Sequence, residues 1–190
     1  MNIIIFGPPG AGKGTQAKYL VKKLKGFQIS TGDILREEIK KNSDIGKKII
    51  NDMSDGKFVS DEIVNEIIKK VIFDPKNKNR LIFDGYPRNL NQVKNLDYLL
   101  KKYNQKIDIV LKLSVNLEII KKRISERQAQ ENRADDNEEI AIKRYKTYEK
   151  SAEPVIDYYK QSNLLKFING EAGISEISSE ISVLIDTIKG

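Results

Sequence analysis

Lys13 closes a run of small residues, Gly7-Pro8-Pro9-Gly10-Ala11-Gly12, and is followed by Gly14 and Thr15. An ammonium at the end of a glycine-rich stretch is a means of holding phosphate. Glycines let backbone N–H groups turn toward an anion, and lysine adds a full charge. The stretch lies between an apolar run, Ile3-Ile4-Ile5-Phe6, and a helical pattern from Gln16 to Leu24. A helix start at that point contributes unpaired donors and a partial positive charge. The pattern predicts a nucleoside triphosphate site with Lys13 at its β/γ end. One position departs from the general motif: the residue after the lysine is usually Ser or Thr, whose hydroxyl holds Mg²⁺, and here it is Gly14. Metal binding is therefore expected to lean on water and on a carboxylate elsewhere.

Asp84-Gly85-Tyr86-Pro87-Arg88 supplies that carboxylate, at the end of the apolar run Leu81-Ile82-Phe83. An aspartate at a strand end beside a phosphate loop is placed to serve Mg²⁺, although Asp-Gly and Tyr-Pro are also ordinary turn formers. Arginine is scarce, with seven among 34 basic residues, so each position carries weight. Its planar fork grips phosphate in a way lysine cannot. Arg123 and Arg127 share a helix face, and with Arg133 and Arg144 they place four arginines within 22 residues, a candidate clamp on several phosphates. Ser30 and Asp33 have the spacing of a helix cap, which would also present Thr31 and Arg36 to a ligand.

The elements that must position these groups read as alternating strands and helices. Apolar runs at 2–6, 27–29, 80–84, 107–113 and 164–168 predict five buried strands, with helical periodicity between them. Such alternation predicts an α/β fold with a parallel sheet covered on both faces, whose ligands sit beyond the carboxyl ends of the strands. The roughly fifty residues between the second and third strands hold three helical stretches, too many for one crossover, which predicts an inserted subdomain near 30–59. The polar stretch 126–136 lacks an apolar stripe and reads as a short mobile loop, with Asp136 and Glu139 capping the next helix.

Composition narrows the chemistry. The 190 residues fit one domain, with hydrophobic content of 39%, charged content of 32% and a net charge of +7. With neither cysteine nor histidine, disulfides, thiol nucleophiles, Cys/His zinc sites and a histidine base are all excluded. Lysine pairs are spread along the whole chain among acidic residues, which favours a solvated surface over a nucleic-acid interface. No apolar run approaches a membrane span, and the first strand begins at once, so a cytoplasmic location is expected, with no membrane partner.

Taken in order and spacing, the phosphate loop, Thr31-Gly32-Asp33-Ile34-Leu35-Arg36, Gly56-Lys57-Phe58-Val59-Ser60-Asp61, Asp84-Gly85-Tyr86-Pro87-Arg88 and Gln92 resemble the adenylate kinases, over essentially the whole chain. The resemblance implies a three-layer P-loop kinase fold with a five-stranded parallel core, a helical insertion for the nucleoside monophosphate at 30–59 and a short lid at 126–132. It implies ATP on Gly10, Ala11, Gly12, Lys13, Gly14 and Thr15, with Arg127 contacting it from the lid edge and with Arg123 and the backbone of Ala172 at its adenine. It places AMP against Thr31, Arg36, Lys57, Phe58, Val59, Gly85, Tyr86, Pro87, Arg88 and Gln92, with Arg133 and Arg144 bridging the phosphates. Lys13, Arg88, Arg127, Arg133 and Arg144 become the catalytic set, and Asp84 the Mg²⁺ residue, through water. Zinc is not expected, and the family points to a monomer. A UMP/CMP kinase is the nearest alternative. Gln92 favours AMP, because an amide can pair both a donor and an acceptor on adenine and pyrimidine-specific relatives carry Asn there. A non-catalytic nucleotide-binding assembly factor is the alternative from another class, and it would not need the arginine set.

Overall fold

A computed structural model describes residues 1–131 and 136–189. Arg133, one of the expected phosphate-bridging residues, lies outside the described residues. The strands are β1 (Ile3–Phe6), β2 (Phe27–Ser30), β3 (Leu81–Asp84), β4 (Ile109–Ser114) and β5 (Leu165–Asn169). The described residues also form eight α-helices: α1 (Lys13–Leu24), α2 (Thr31–Lys40), α3 (Asp44–Ser54), α4 (Asp61–Ile72), α5 (Leu90–Lys102), α6 (Leu117–Glu131), α7 (Glu138–Gln161) and α8 (Ile174–Lys189). All strand pairs are parallel, in the order β2-β3-β1-β4-β5.

The near-continuous apolar strands follow from burial on both faces. Side chains alternate across a strand, so Ile4 and Phe6 join a core with Ile29, Phe83 and Val110 on one face. Ile3 and Ile5 join a second core on the other face, with Ile82, Leu111 and Leu113. The second core is covered by α1, α6 and α8 through Leu20, Ile120 and Ile181, and the first by α4 and α5 through Ile68 and Leu96. The long α7 contributes Ala141 to one core and Val155 and Tyr159 to the other. This is the expected α/β, three-layer architecture. No helix among the described residues is long and apolar enough to cross a membrane.

Helix starts are set by local chemistry. The Ser30 hydroxyl accepts from Asp33 N at 3.3 Å, as its spacing predicts. Asn89 accepts from Gln92 N at 2.9 Å, and Ser43 from Gly46 N at 3.0 Å. Each such cap contributes about 1 kcal/mol.

Two expectations need correction. The stretch 126–136 is not a loop throughout, because α6 continues to Glu131. Its residues, Glu126-Arg127-Gln128-Ala129-Gln130-Glu131, are good helix formers that need no apolar stripe once the helix is already nucleated by Ile120 and Ile124. The cap of α7 is Asn137, which accepts from Ile140 N at 2.8 Å, and not Asp136. Asp136 is instead fully buried.

The helices expected between β2 and β3 are present as α2, α3 and α4. Close approach of α2 and α3 depends on Gly46, where a Cβ would stand 2.2 Å from the Glu38 carbonyl oxygen. No side-chain rotation relieves a clash with backbone. Gly46→Ala is expected to destabilise the protein by roughly 1–3 kcal/mol, read as a lower urea midpoint. An unchanged midpoint would mean that the two helices slide apart at no cost.

Candidate active site

The loop between β1 and α1 begins where the innermost strand stops. Gly10 and Gly12 have φ of 81° and 91°, a left-handed conformation that a side chain resists, and this lets the loop curl over the start of α1. Lys13 opens that helix. Its Nζ donates to the carbonyls of Gly7 and Pro8, each at 2.9 Å, which anchors the ammonium at its own loop. Burial pushes the Lys13 pKa down to about 8, with Arg88, Arg144 and Arg127 adding to that and Asp84 opposing it.

Asp84 ends β3 and is buried, and burial raises its carboxyl pKa against the pull of Lys13 and a hydrogen bond from Gln28. Gln28 Nε2 donates to Asp84 Oδ2 at 3.1 Å from the adjoining strand β2. A Cβ at Gly14 would lie 3.4 Å from Asp84 Oδ2, an ordinary contact distance, so a Ser or Thr hydroxyl there would have the carboxylate as a hydrogen-bond acceptor.

Beyond the loop, α2, the segment after α3, the turn after β3 and α7 bring Arg36, Lys57, Arg88 and Arg144 to join Lys13 in the wall of one cleft of about 790 Å³, open mouth included. Its apolar wall comes from Leu35, Met53, Phe58, Val59 and Tyr148. Arg88 follows the Gly85 turn, donates through Nε to the Gly85 carbonyl at 2.7 Å and sits with its guanidinium 5.1 Å from the Phe58 ring centroid. Desolvation and the nearby Arg144 push the Arg88 pKa down to about 10. Thr31 is buried and donates to the same Gly85 carbonyl at 2.9 Å, while Arg36 pairs with Asp33. Lys57 pairs at 2.9 Å with Asp55.

The remaining predicted residues fall elsewhere. Tyr86 is buried and donates from its hydroxyl to Asn65 Oδ1 at 2.9 Å, so it braces the turn from behind. Pro87 is in the cleft wall, whereas Gln92 is 1% exposed and not part of it. Arg123, on α6, donates to the Gly170 carbonyl at 2.8 Å and the Ala11 carbonyl at 3.5 Å, and so ties the phosphate loop to the turn after β5 that carries Ala172. Thr15 is exposed on the first turn of α1.

Sequence reasoning missed the group that organises the arginines. Asp136 is bound by Arg127 through both Nε and Nη2, each at 2.6 Å, and lies 3.8 Å from Arg144. Its fully buried carboxylate offsets the repulsion between the α6 and α7 cations. The only signal was an acidic residue among arginines, which reads equally well as a cap. Gln28 and Tyr148 were also missed. Polar and aromatic residues on ordinary elements carry no local mark of the site they face.

A parallel sheet with a glycine-rich loop after its central strand, a strand-end aspartate and converging cations defines the P-loop nucleotide kinases. A family model described as adenylate kinase matches residues 5–164. A protein named adenylate kinase from Pelagibacter ubique is 42% identical, with 97% of this chain and 99% of the relative aligned. Another of that name from Archaeoglobus fulgidus is 38% identical over the whole of both chains, and one from Prochlorococcus marinus strain MIT 9515 is 42% identical over 95% and 96%. The chain belongs to the adenylate kinase family.

A depressed Lys13 has a thermodynamic consequence. A polyanion bound at the loop restores the proton, so binding near and above pH 8 takes up H⁺ and weakens as pH rises through that range. Calorimetry of ATP binding at pH 8.5, in buffers of different ionisation enthalpy, is expected to show net proton uptake that Lys13→Met abolishes. Uptake of the same size in that variant would assign the proton to another group.

Proposed function

We propose that this chain transfers the γ-phosphoryl group of ATP to AMP, giving two ADP, and runs the reaction in both directions. The observation that carries this reading is the convergence of Lys13, Arg36, Arg88 and Arg144 on one cleft beside the phosphate loop, in a chain of this family. A single triphosphate does not require so many cations. Two phosphorylated substrates brought end to end do.

In this reading ATP lies on Gly10–Thr15 with Lys13 at its β/γ end, and its adenine lies toward Arg123 and Ala172. AMP occupies the insertion over 30–59, near Thr31, Arg36, Lys57, Val59, Gly85 and Arg88, with Gln92 meeting its base. Arg127 and Arg144, joined in the structure through Asp136, would reach the phosphates from α6 and α7. Arg133 belongs to the same proposal.

No general base is needed. The second pKa of a phosphate monoester is about 6, so an AMP oxygen is mostly ionised at neutral pH and can attack phosphorus directly. The obstacle is charge. Two unit charges about 4 Å apart repel by about 4 kcal/mol at an effective dielectric near 20. The arginines and Lys13 offset that term and stabilise charge on the transferring group. Exclusion of water by the 126–132 segment would suppress hydrolysis.

Mg²⁺, bound with ATP, would supply further charge neutralisation on the phosphates. The donor set fits such an ion. Asp84 offers one carboxylate beside the loop, and among the described residues no group of three or more acidic residues forms a cage. That is the arrangement for a cation held by substrate phosphates, water and a single carboxylate.

An acceptor panel of AMP, CMP, UMP and GMP, with MgATP as donor, tests the reading. AMP is expected to give the highest kcat/KM, and a pyrimidine monophosphate outrunning it would reassign the acceptor. Arg88→Lys is expected to keep the melting temperature and lower kcat about a hundredfold or more, because a point charge replaces a fork held at 2.7 Å on the Gly85 carbonyl. Near-normal turnover would remove Arg88 from the transfer step.

A further inference from the structure

The Gln92 side chain is held from two sides by groups whose hydrogen-bonding sense cannot be reversed. The backbone N–H of Arg88 donates to Gln92 Oε1 at 2.7 Å. On the other side Gln92 Nε2 donates to Asp61 Oδ1, also at 2.7 Å. Asp61 is fixed in turn by Asn89, whose Nδ2 donates to both carboxylate oxygens at 3.0 and 3.2 Å while its own carbonyl caps α5 on Gln92 N. The carboxylate comes from the first residue of α4, and the amide from α5.

A primary amide has nearly the same shape either way round, so an unconstrained glutamine presents its two edges in either order. Here it cannot. Turning the amide over would set Oε1 against the Asp61 carboxylate and the NH₂ group against the Arg88 N–H, giving two repulsive contacts in a buried position. The group therefore keeps one polarity. One lone pair on Oε1 and one N–H on Nε2 remain, and because Gln92 is 1% exposed beside the cleft wall at Pro87 and Arg88, a base meets them only once that wall has moved.

That pair of edges suits a base with an exocyclic amino donor next to a ring-nitrogen acceptor. A 6-aminopurine has this order, and a 6-oxopurine has the reverse, a carbonyl acceptor next to a ring N–H. We propose that Asp61 is a positioning residue that sets acceptor specificity: by fixing the sense of the Gln92 amide it selects 6-aminopurine over 6-oxopurine monophosphates. The proposal rests on the reading of Gln92 as the residue that meets the acceptor base.

The test compares AMP with IMP, which differ only in this edge. Values of kcat/KM for each, with MgATP, are measured for the unmodified protein and for Asp61→Leu, Asp61→Asn, Asp61→Glu and Gln92→Leu. The preference for AMP over IMP is expected to fall about tenfold in Asp61→Leu, where the Arg88 N–H alone still opposes turning the amide over. It falls several-fold in Asp61→Asn, which keeps the bond from Asn89 and can donate as well as accept, and it largely survives in Asp61→Glu. A purely structural Asp61 would lower both substrates in proportion, and an unchanged ratio in Asp61→Leu and Asp61→Asn overturns the proposal. Should the leucine variant fail to fold, the isosteric asparagine variant decides alone. An unchanged ratio in Gln92→Leu instead overturns the reading of Gln92. A ratio that collapses in Gln92→Leu but holds in the Asp61 variants overturns the role of Asp61 alone.

Discussion

Like-charge repulsion in a poorly hydrated cleft is the constraint on which the rest of this molecule depends. Lys13, Arg88 and Arg144 face the same space, and two of them have their pKa values lowered by burial and by one another. A chain free to move would let these cations drift apart into water. Here they cannot drift, because each is rooted at the end of a buried element: Lys13 at the head of α1, Arg88 past the end of β3, Arg144 on an α7 that packs into the cores on both sides of the sheet. Rigid packing on this scale keeps the site preorganised for anions before any arrive.

Carboxylates temper the repulsion, and they are placed with economy. Asp84 faces Lys13, Asp33 takes Arg36, and Asp136 takes Arg127 with Arg144 nearby. Each lies beside the cations it serves. The cations of the cleft thus have acceptors within the chain, such as the Gly7 and Pro8 carbonyls for Lys13. These internal partners let a strongly cationic cleft stay folded.

The parts legible in the sequence were those governed by local rules. The run Ile3–Phe6 reads as a buried strand from its apolar residues, and Ser30 with Asp33 reads as a cap from spacing alone. The glycine loop, the strand-end Asp84 and the arginines likewise stood out by residue type. What escaped notice depends on pairing across the fold. Asp136, just ahead of α7, acts through Arg127, nine residues earlier on α6. Gln28 reaches Asp84 from a neighbouring strand, and Asp61 reaches Gln92 from a neighbouring helix. Nothing in the local pattern of a polar residue tells which buried partner it will meet. The end of α6 was misjudged for a related reason, since a missing apolar stripe shows that a stretch is exposed and does not show that it is unfolded.

The contact between Gly14 and Asp84 bears on how such a site can change over generations. With Asp84 Oδ2 3.4 Å from where a side chain would begin, an ordinary contact distance, position 14 has room for a hydroxyl that would donate to the carboxylate. No steric conflict ties the two positions together, so a lineage passes between glycine and a hydroxyl residue after the phosphate-loop lysine in a single step, without first altering position 84.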